Sequence, residues 1–438
     1  MLRRSIVETD IKRGLLVLGL AVFFGGCGAS ASDQGFGGGS GASSSSGGAG
    51  QGSGTTMGTP EAGPGPGGFG STDAGGIVQE AGGDGGPVDV TPSCDTGIAI
   101  DDADPASFAK AMGICTTAAS DGFGLVSATY SKAFGSTASP HAGQWGMLPS
   151  FGTHIGPREG KALGVLSTGY AREYDDAQGV PMAGPATSCG SAPATACCWS
   201  GIAGSCPVGT ASDFVNSSPD GPLEGTSYPT GAAPPGFPQS SVGCMQDNVV
   251  NDMIDLKLVL KAPMDAMGFQ FDFDFYSSEW PNFVCSTFND AFVAYLTSSA
   301  ITNNISFDPN NDPISVNNDF LNRCTAGAPL GCNRTDGQTP DPPYTTSTCA
   351  GGTAELEGTG YAGTAQTLCM NGADVSATLG GATGWLTTKA PIHPGEQFTL
   401  ELMIWDAGDG ILDSSVLLDR FQWLGVSTPT PITQPVAQ

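Results

Sequence analysis

Near its C-terminus the chain reads WDAGDGILDSSVLLD, residues 405–419, placing Asp406, Asp409, Asp413 and Asp419 close together in a sequence that is only 13% charged. Carboxylates at that density have three ordinary uses. Asp before Gly is turn chemistry, and this stretch joins two apolar runs. A short acidic loop is also a source of oxygens for Ca²⁺, which takes six to eight ligands from carboxylates, carbonyls and water. The spacing of Asp406, Asp409, Gly410 and Asp413 lacks the alternate-position oxygens and closing glutamate of an EF-hand, so a calcium site here would be of another kind, completed by a second loop. SSEWPNFVCSTFND, residues 277–290, offers Glu279, Asn289 and Asp290 for that purpose. If both connections lie at one end of the fold, Glu279, Asp290, Asp406, Asp409 and Asp413 converge. The third use is a glycosidase pair, two carboxyl groups a few ångströms apart with one held protonated.

Other chemistry is thinner. The three histidines, His141, His154 and His393, lie in loop-like sequence, and no GxSxG elbow accompanies them. Trp385, Trp405 and Trp423 adjoin strand patterns and are expected in the core. Trp280, in SEWPNF, is the residue expected to offer an exposed ring to a sugar.

These residues need a frame. In MIDLKLVLKAP, Ile254, Leu256, Leu258 and Leu260 alternate with Asp255, Lys257 and Val259; in MGFQFDFDFYS, Phe269, Phe271, Phe273 and Phe275 alternate with Gln270, Asp272 and Asp274. Period two with one apolar face is the pattern of antiparallel strands over a core. FGLVSATYSKAF, KALGVLSTGYAR, DAFVAYLTS, NNISFD, DPISVNN, GWLTTKAPI, QFTLELMIW and SSVLLDRFQWLG add further strands, with Gly and Pro turns between them. A single helix is expected at residues 105–115, capped by Asp104 with Pro105 at its first position. The fold class is therefore all-β, an antiparallel two-sheet sandwich of jelly-roll type, with one short N-terminal helix and disulfide-pinned loops. Barrel closure is the alternative.

The first 27 residues carry Arg3, Arg4, Lys12 and Arg13, an apolar run too short to span a bilayer, and FFGGC ending at Cys27. This layout resembles a bacterial lipoprotein signal, with Phe24 where Leu is usual. It implies lipidation of Cys27, and Gly28 after it implies the outer membrane; secretion without an anchor is the alternative. Residues 28–93 are Gly, Ser, Ala and Pro with almost no large apolar side chain. Such a chain cannot bury enough surface to stay ordered, and as a coil of some 65 residues it would hold a domain on the order of 40–50 Å from the lipid. The folded part is expected at 94–425, with a Pro-, Gly- and Cys-rich excursion at 171–243 and a disordered tail at 426–438.

The net charge of −27 disfavours nucleic acid and anionic lipid as partners, and no nucleotide is expected. Setting Cys27 aside leaves an even number of cysteines from a total of 13, which in an exported chain means disulfides. Local pairs are expected at Cys94–Cys115, Cys324–Cys332 and Cys349–Cys369, with Cys189, Cys197, Cys198 and Cys206 pairing among themselves or with Cys244.

FYSSEWPNFVCSTFNDAFVAYL, NNISF and GATGWLTTKAPIHPGEQFTLELMIWDAGDGILDSSVLLDRFQW together resemble the bacterial choice-of-anchor L domain, a module of surface and secreted proteins. AKAMGIC, FGLVSATY, SFGTHIGPREGKALGVLSTGYAR and PPGFPQSSVGC are similar to the longer, lipoprotein form of that family, so the resemblance spans residues 94–425. It implies a lipid-anchored binding or adhesion module at the cell surface, facing an extracellular glycan or surface protein, and brings no catalytic residue with it. A secreted polysaccharide hydrolase and a structural envelope component are the competing readings.

Overall fold

The computed structural model describes residues 94–169, 171–172, 174–175, 180–181, 227–228, 233–332, 345–357, 359, 361, 365–367, 376–378, 380–408, 410 and 412–436. In chain order, the helices are α1 Pro105–Ala111 and α2 Ala118–Asp121, followed by β1 Gly124–Ser131, β2 Trp145–Leu148, β3 Leu163–Ser167, β4 Tyr174–Asp175, β5 Val180–Pro181 and β6 Ser227–Tyr228. The long core strands are β7 Val250–Lys261, β8 Gly268–Ser277 and β9 Ala291–Thr297, then the short β10 Thr302–Asn304, β11 Ile314–Ser315, β12 Arg323–Cys324, β13 Ala365–Thr367, β14 Ser376–Thr378 and β15 Gly381–Ala382. The chain closes with β16 Leu386–Pro391, β17 Gln397–Ala407, β18 Ser414–Leu424 and β19 Ile432–Pro435.

Two antiparallel sheets face each other, as the alternating sequences require. One runs β1-β7-β17-β9-β10, with β6 on β7 and β11 on β9; the other runs β12-β15-β8-β18-β3-β2, with β16 between β8 and β19. Ile254, Leu256, Leu258 and Leu260 from the first meet Phe269, Phe271, Phe273 and Phe275 from the second in one buried cluster. Phe269 stacks on Phe398 at 5.3 Å and Phe273 meets Phe292 at 5.0 Å, both pairs crossing from one sheet to the other. α1 closes one side of this core with Phe108 and Met112; Asp104 accepts the Ala106 N–H at 3.0 Å and Pro105 opens the helix, as expected. α2, a single turn capped by Thr117 and ended by left-handed Gly122, was not legible in the sequence.

The outward faces are also covered. Leu148, Phe151, Leu163, Val165, Tyr276, Leu356 and Tyr361 form a second cluster outside the eight-stranded sheet, and Val250, Met253, Met403 and Trp405 form a third outside the other. Ala171, Arg172 and Ala233, at the ends of the expected excursion, are buried against these clusters rather than standing off the core. The tail expected to be disordered instead supplies β19, which pairs residue for residue with Leu386–Lys389 of β16. Edge pairing in an otherwise polar, Pro-containing segment is what the hydrophobic pattern could not signal.

Of the expected disulfides, Cys94–Cys115 forms, but Cys324 pairs with Cys349, so Cys324–Cys332 and Cys349–Cys369 are both corrected. Cys244 pairs with Cys285 and not with the group at 189–206, which lies outside the described residues. The segment around Cys349 returns beside β12, with Gly351 N–H on Asn322 O at 3.0 Å, and this brings the two Cα atoms to 5.1 Å, inside disulfide range.

Asp255, on the outer side of β7, is 1% exposed and accepts the Ser131 hydroxyl at 3.1 Å. Burial first, then the nearby Glu401 carboxylate, lift its carboxyl to about 8. The folded state thus keeps a proton that the unfolded chain releases near pH 4, so this group stabilises fully at low pH and its contribution is lost as pH rises toward 8. Asp255→Asn should remove a slope of up to about 1.4 kcal/mol per pH unit between those limits. Urea unfolding of both proteins at pH 5 and pH 8 checks this; parallel pH profiles would refute it.

Candidate functional site

The two acidic connections emerge at the same end of the sandwich. β17 enters that end and pairs Trp405 with Ala291 of β9 and Asp406 with Asn251 of β7, while β18 leaves it with Ser414 opposite Ser277 of β8. The β17–β18 connection therefore crosses from one sheet to the other, and Asp290 fastens the crossing. Its Oδ1 accepts the Ala407 N–H at 3.1 Å and its Oδ2 the Ser414 hydroxyl at 2.6 Å, one residue from each sheet. Glu279 Oε2 takes the Asp290 N–H at 3.4 Å, and the Asp413 carbonyl takes the Ser278 N–H at 3.1 Å.

Glu279, Asp290, Asp406 and Asp413 are thus brought together, and all four are buried, with exposures of 3, 0, 2 and 6%. Asp409, the fifth expected member, lies outside the described residues. Asp252 joins the group although sequence reasoning passed over it. It sits at φ +47° where β7 bulges opposite Trp405, and a Cβ on Gly410 would come within 2.3 Å of its Oδ2. The glycine of the Asp-Gly pair therefore serves a close backbone approach as well as a turn. The signal was a break in period: Val250 and Met253 both lie on the outer face, whereas the strand beyond keeps strict alternation.

The electrostatics centre on Asp406. Among the described residues neither carboxylate oxygen accepts a hydrogen bond of good geometry, although the Thr168 hydroxyl stands near enough to favour the ionised form. Burial, then Asp290, Asp413 and Asp252 in that order, push its carboxyl well above the usual carboxylate range. The Thr168 hydroxyl is the one group that opposes the shift, and its own bonds go to Ser414 N–H and O. Tyr361, whose hydroxyl donates to Ser415 Oγ at 2.7 Å, feels the same field, and its phenol is pushed up by burial and by Asp413, Asp406 and Asp290. Among the described residues no group of three or more His, Cys, Asp or Glu already stands where it could hold a metal ion. The chemistry of the donor set nevertheless suits one class of ion: oxygen-only, multiply anionic ligands suit Ca²⁺ and not a thiolate- or imidazole-seeking metal.

The hydrolytic alternatives fare differently. One carboxyl pair does form outside this cluster. Asp274 and Glu355 are hydrogen-bonded to each other and share the Tyr276 hydroxyl at 3.3 Å each, with Arg323 Nε on Glu355 at 3.1 Å. Burial above all pushes the Asp274 carboxyl up, but carboxyl groups in direct contact leave no room for the glycosidic bond that retaining or inverting enzymes place between theirs, about 5 Å or more apart. Ser299, His393 and Glu396 meet on an exposed turn, but Ser299 Oγ (2.7 Å) and Glu396 Oε2 (3.8 Å) both approach His393 Nδ1. A triad needs nucleophile and carboxylate on opposite ring nitrogens of the histidine base, so this trio braces a turn. His141 caps a 3-10 turn through Nδ1, and His154 pairs with Glu357 at the surface.

Trp280 is not the exposed platform expected: it is 8% exposed and packs on Gly381, where a Cβ would fall 2.4 Å from the indole. Trp405 and Trp423 are buried as expected, and among the described tryptophans only Trp385 keeps part of its ring open.

Residues 262–421 match the family model of the choice-of-anchor L domain. The match covers a little over a third of the chain and runs from the end of β7 into β18, taking in both acidic connections, while Asp252 and Thr168 lie before it. A domain of this kind marks a module of exported or cell-surface-associated proteins. No curated protein and no solved structure matches the chain.

Proposed function

We propose that this chain is a surface-displayed binding module of a bacterial envelope, held to the outer membrane by lipid on Cys27, spaced from it by residues 28–93, and directed at an extracellular glycan or surface protein. In this reading a Ca²⁺ ion belongs to the sheet-crossing cluster, with Asp406, Asp290 and Asp413 supplying charge and neighbouring backbone carbonyls and water completing the shell. The observation that carries it is Asp406, a 2%-exposed carboxyl with no well-formed hydrogen bond to either oxygen among the described residues and in the field of further carboxylates. A divalent cation is the partner that would let this group ionise, and it would fix the crossing between the sheets, from which the loops at that end project.

Calorimetric titration of Ca²⁺ into the EDTA-stripped full chain tests the ion. One saturable site, lost in Asp406→Asn and weakened in Asp413→Asn, is the expected result. Absence of any calcium-specific heat, or equal binding by both variants, would remove calcium from the reading.

A further inference from the structure

We propose that the outward face of the eight-stranded sheet carries a clamp for the carboxylate of an acidic sugar, formed by Arg158 and Arg420 beside Trp385. The proposal rests on the reading of the chain as an extracellular binding module and gives that module a second, separate site.

Asp272, on the outer side of β8, is fully buried, and its Oδ2 lies 3.2 Å from Nε of both arginines while its Oδ1 accepts the Thr387 hydroxyl at 2.6 Å. Two guanidinium groups sharing one carboxylate oxygen must stand side by side. Their Nε atoms face inward, and among the described residues their Nη groups have no hydrogen-bond partner. The side chains are 27 and 30% exposed, so those free forks face solvent.

The forks are also fixed in place. Asp419 accepts the Arg158 N–H at 2.6 Å on one oxygen and the Arg420 N–H at 2.6 Å on the other, holding both backbones from below. Two adjacent planar donors, Arg158 from the β2–β3 connection and Arg420 from the bulge of β18, match the two oxygens of a carboxylate, and prior fixing spares the ordering cost of binding. Asp272, Asp419 and Glu159 beneath and beside the pair balance its charge, which disfavours a phosphate dianion and leaves the fork geometry, not net charge, to select a carboxylate. The rest of the face suits a sugar. Arg158 lies 5.8 Å over the Trp385 ring, and beside the pair buried Gln270 donates to Gln422 at 2.9 Å while Gln422 donates to Glu159 at 3.4 Å, a polar surround for ring hydroxyls.

Titration of the full chain with oligogalacturonate, a neutral galacto-oligosaccharide and inorganic phosphate tests the clamp. The expected result is binding of oligogalacturonate alone, weakened at least tenfold by Arg158→Lys and by Arg420→Lys, with melting temperatures unchanged. The lysine variants keep a cation on Asp272 and lose only the fork, so they separate recognition from folding. Oligogalacturonate binding that the variants leave intact would overturn the clamp and leave the binding-module reading standing. Failure to bind oligogalacturonate, or equal binding of the neutral sugar or of phosphate, would overturn the assignment to a carboxylated sugar, while calcium binding at the sheet crossing would be untouched.

Discussion

Asp406→Asn should make the protein at least as stable as wild type in EDTA and clearly less stable in calcium. In the absence of a cation, the folded state must either bury an ionised Asp406 among Asp290, Asp413 and Asp252 or hold it protonated, and the raised carboxyl says it is held protonated. That proton is bound in the folded state and released in the unfolded chain at neutral pH, so wild type in EDTA loses stability as pH rises above the ordinary carboxylate range. Asparagine has the same shape, carries no charge and offers an N–H₂ to its acidic neighbours, so the variant escapes this penalty. With calcium at about 100 times its dissociation constant, wild type gains about 2.7 kcal/mol, which the variant forfeits. For a domain of this size that is a shift of several degrees in melting temperature, with the rank order inverted between the two buffers. Thermal scans of both full-length proteins at pH 7.5, in EDTA and across a calcium series, read it directly. A calcium response of equal size in both proteins would place the ion elsewhere, and an unchanged rank order would sink the proposed coordination.

The parts of this structure that were legible in the sequence are those set by local periodicity. Phe269–Phe275 and Ile254–Leu260 announced two half-buried strands because period two leaves one face apolar, and the pairing of those faces follows once both must leave water. The convergence of Glu279, Asp290, Asp406 and Asp413 was legible only as a condition: each acid sits at or beside a strand end, but which ends share one end of the sandwich depends on the strand order, which the periodicity does not give. Through-space neighbours without a periodic signature were not legible. Cys324 finds Cys349 and not nearby Cys332 because a later segment folds back beside β12, which no spacing rule encodes. Trp280 looked exposed because it lies in a connection, yet Gly381, with no side chain, opens a slot that takes the indole. Asp252 escaped notice because its role depends on a bulge, and Arg158 because the partner that defines it, Asp272, is separated from it by 114 residues.

The largest single loss of stability is expected from Phe273→Ala. Phe273 is fully buried at the middle of β8, flanked in register by Leu386 of β16 and Leu418 of β18, and its ring lies 6.0 Å from Phe271 and 5.0 Å from Phe292 across the sandwich. Truncation removes the ring from both sheets at once, and the strands on either side are held by continuous ladders that resist collapse into the gap. The expected cost is about 3–5 kcal/mol, against a total of about 5–15 kcal/mol for a typical domain. Val126→Ala, at a 43%-exposed position of edge strand β1, should change stability by no more than about 0.5 kcal/mol. Urea midpoints at constant m-value measure both, and a loss under about 1 kcal/mol for Phe273→Ala would mean that the facing sheets do not share this core. The same substitution also separates core from ion. Phe273 lies mid-strand, away from the acidic strand ends, so in calcium the double variant Phe273→Ala/Asp406→Asn should lose the sum of the single losses to within about 0.5 kcal/mol. A coupling energy well beyond that would mean that the cation does more than tie the crossing loop, and that its field sets how the two sheets pack along their length.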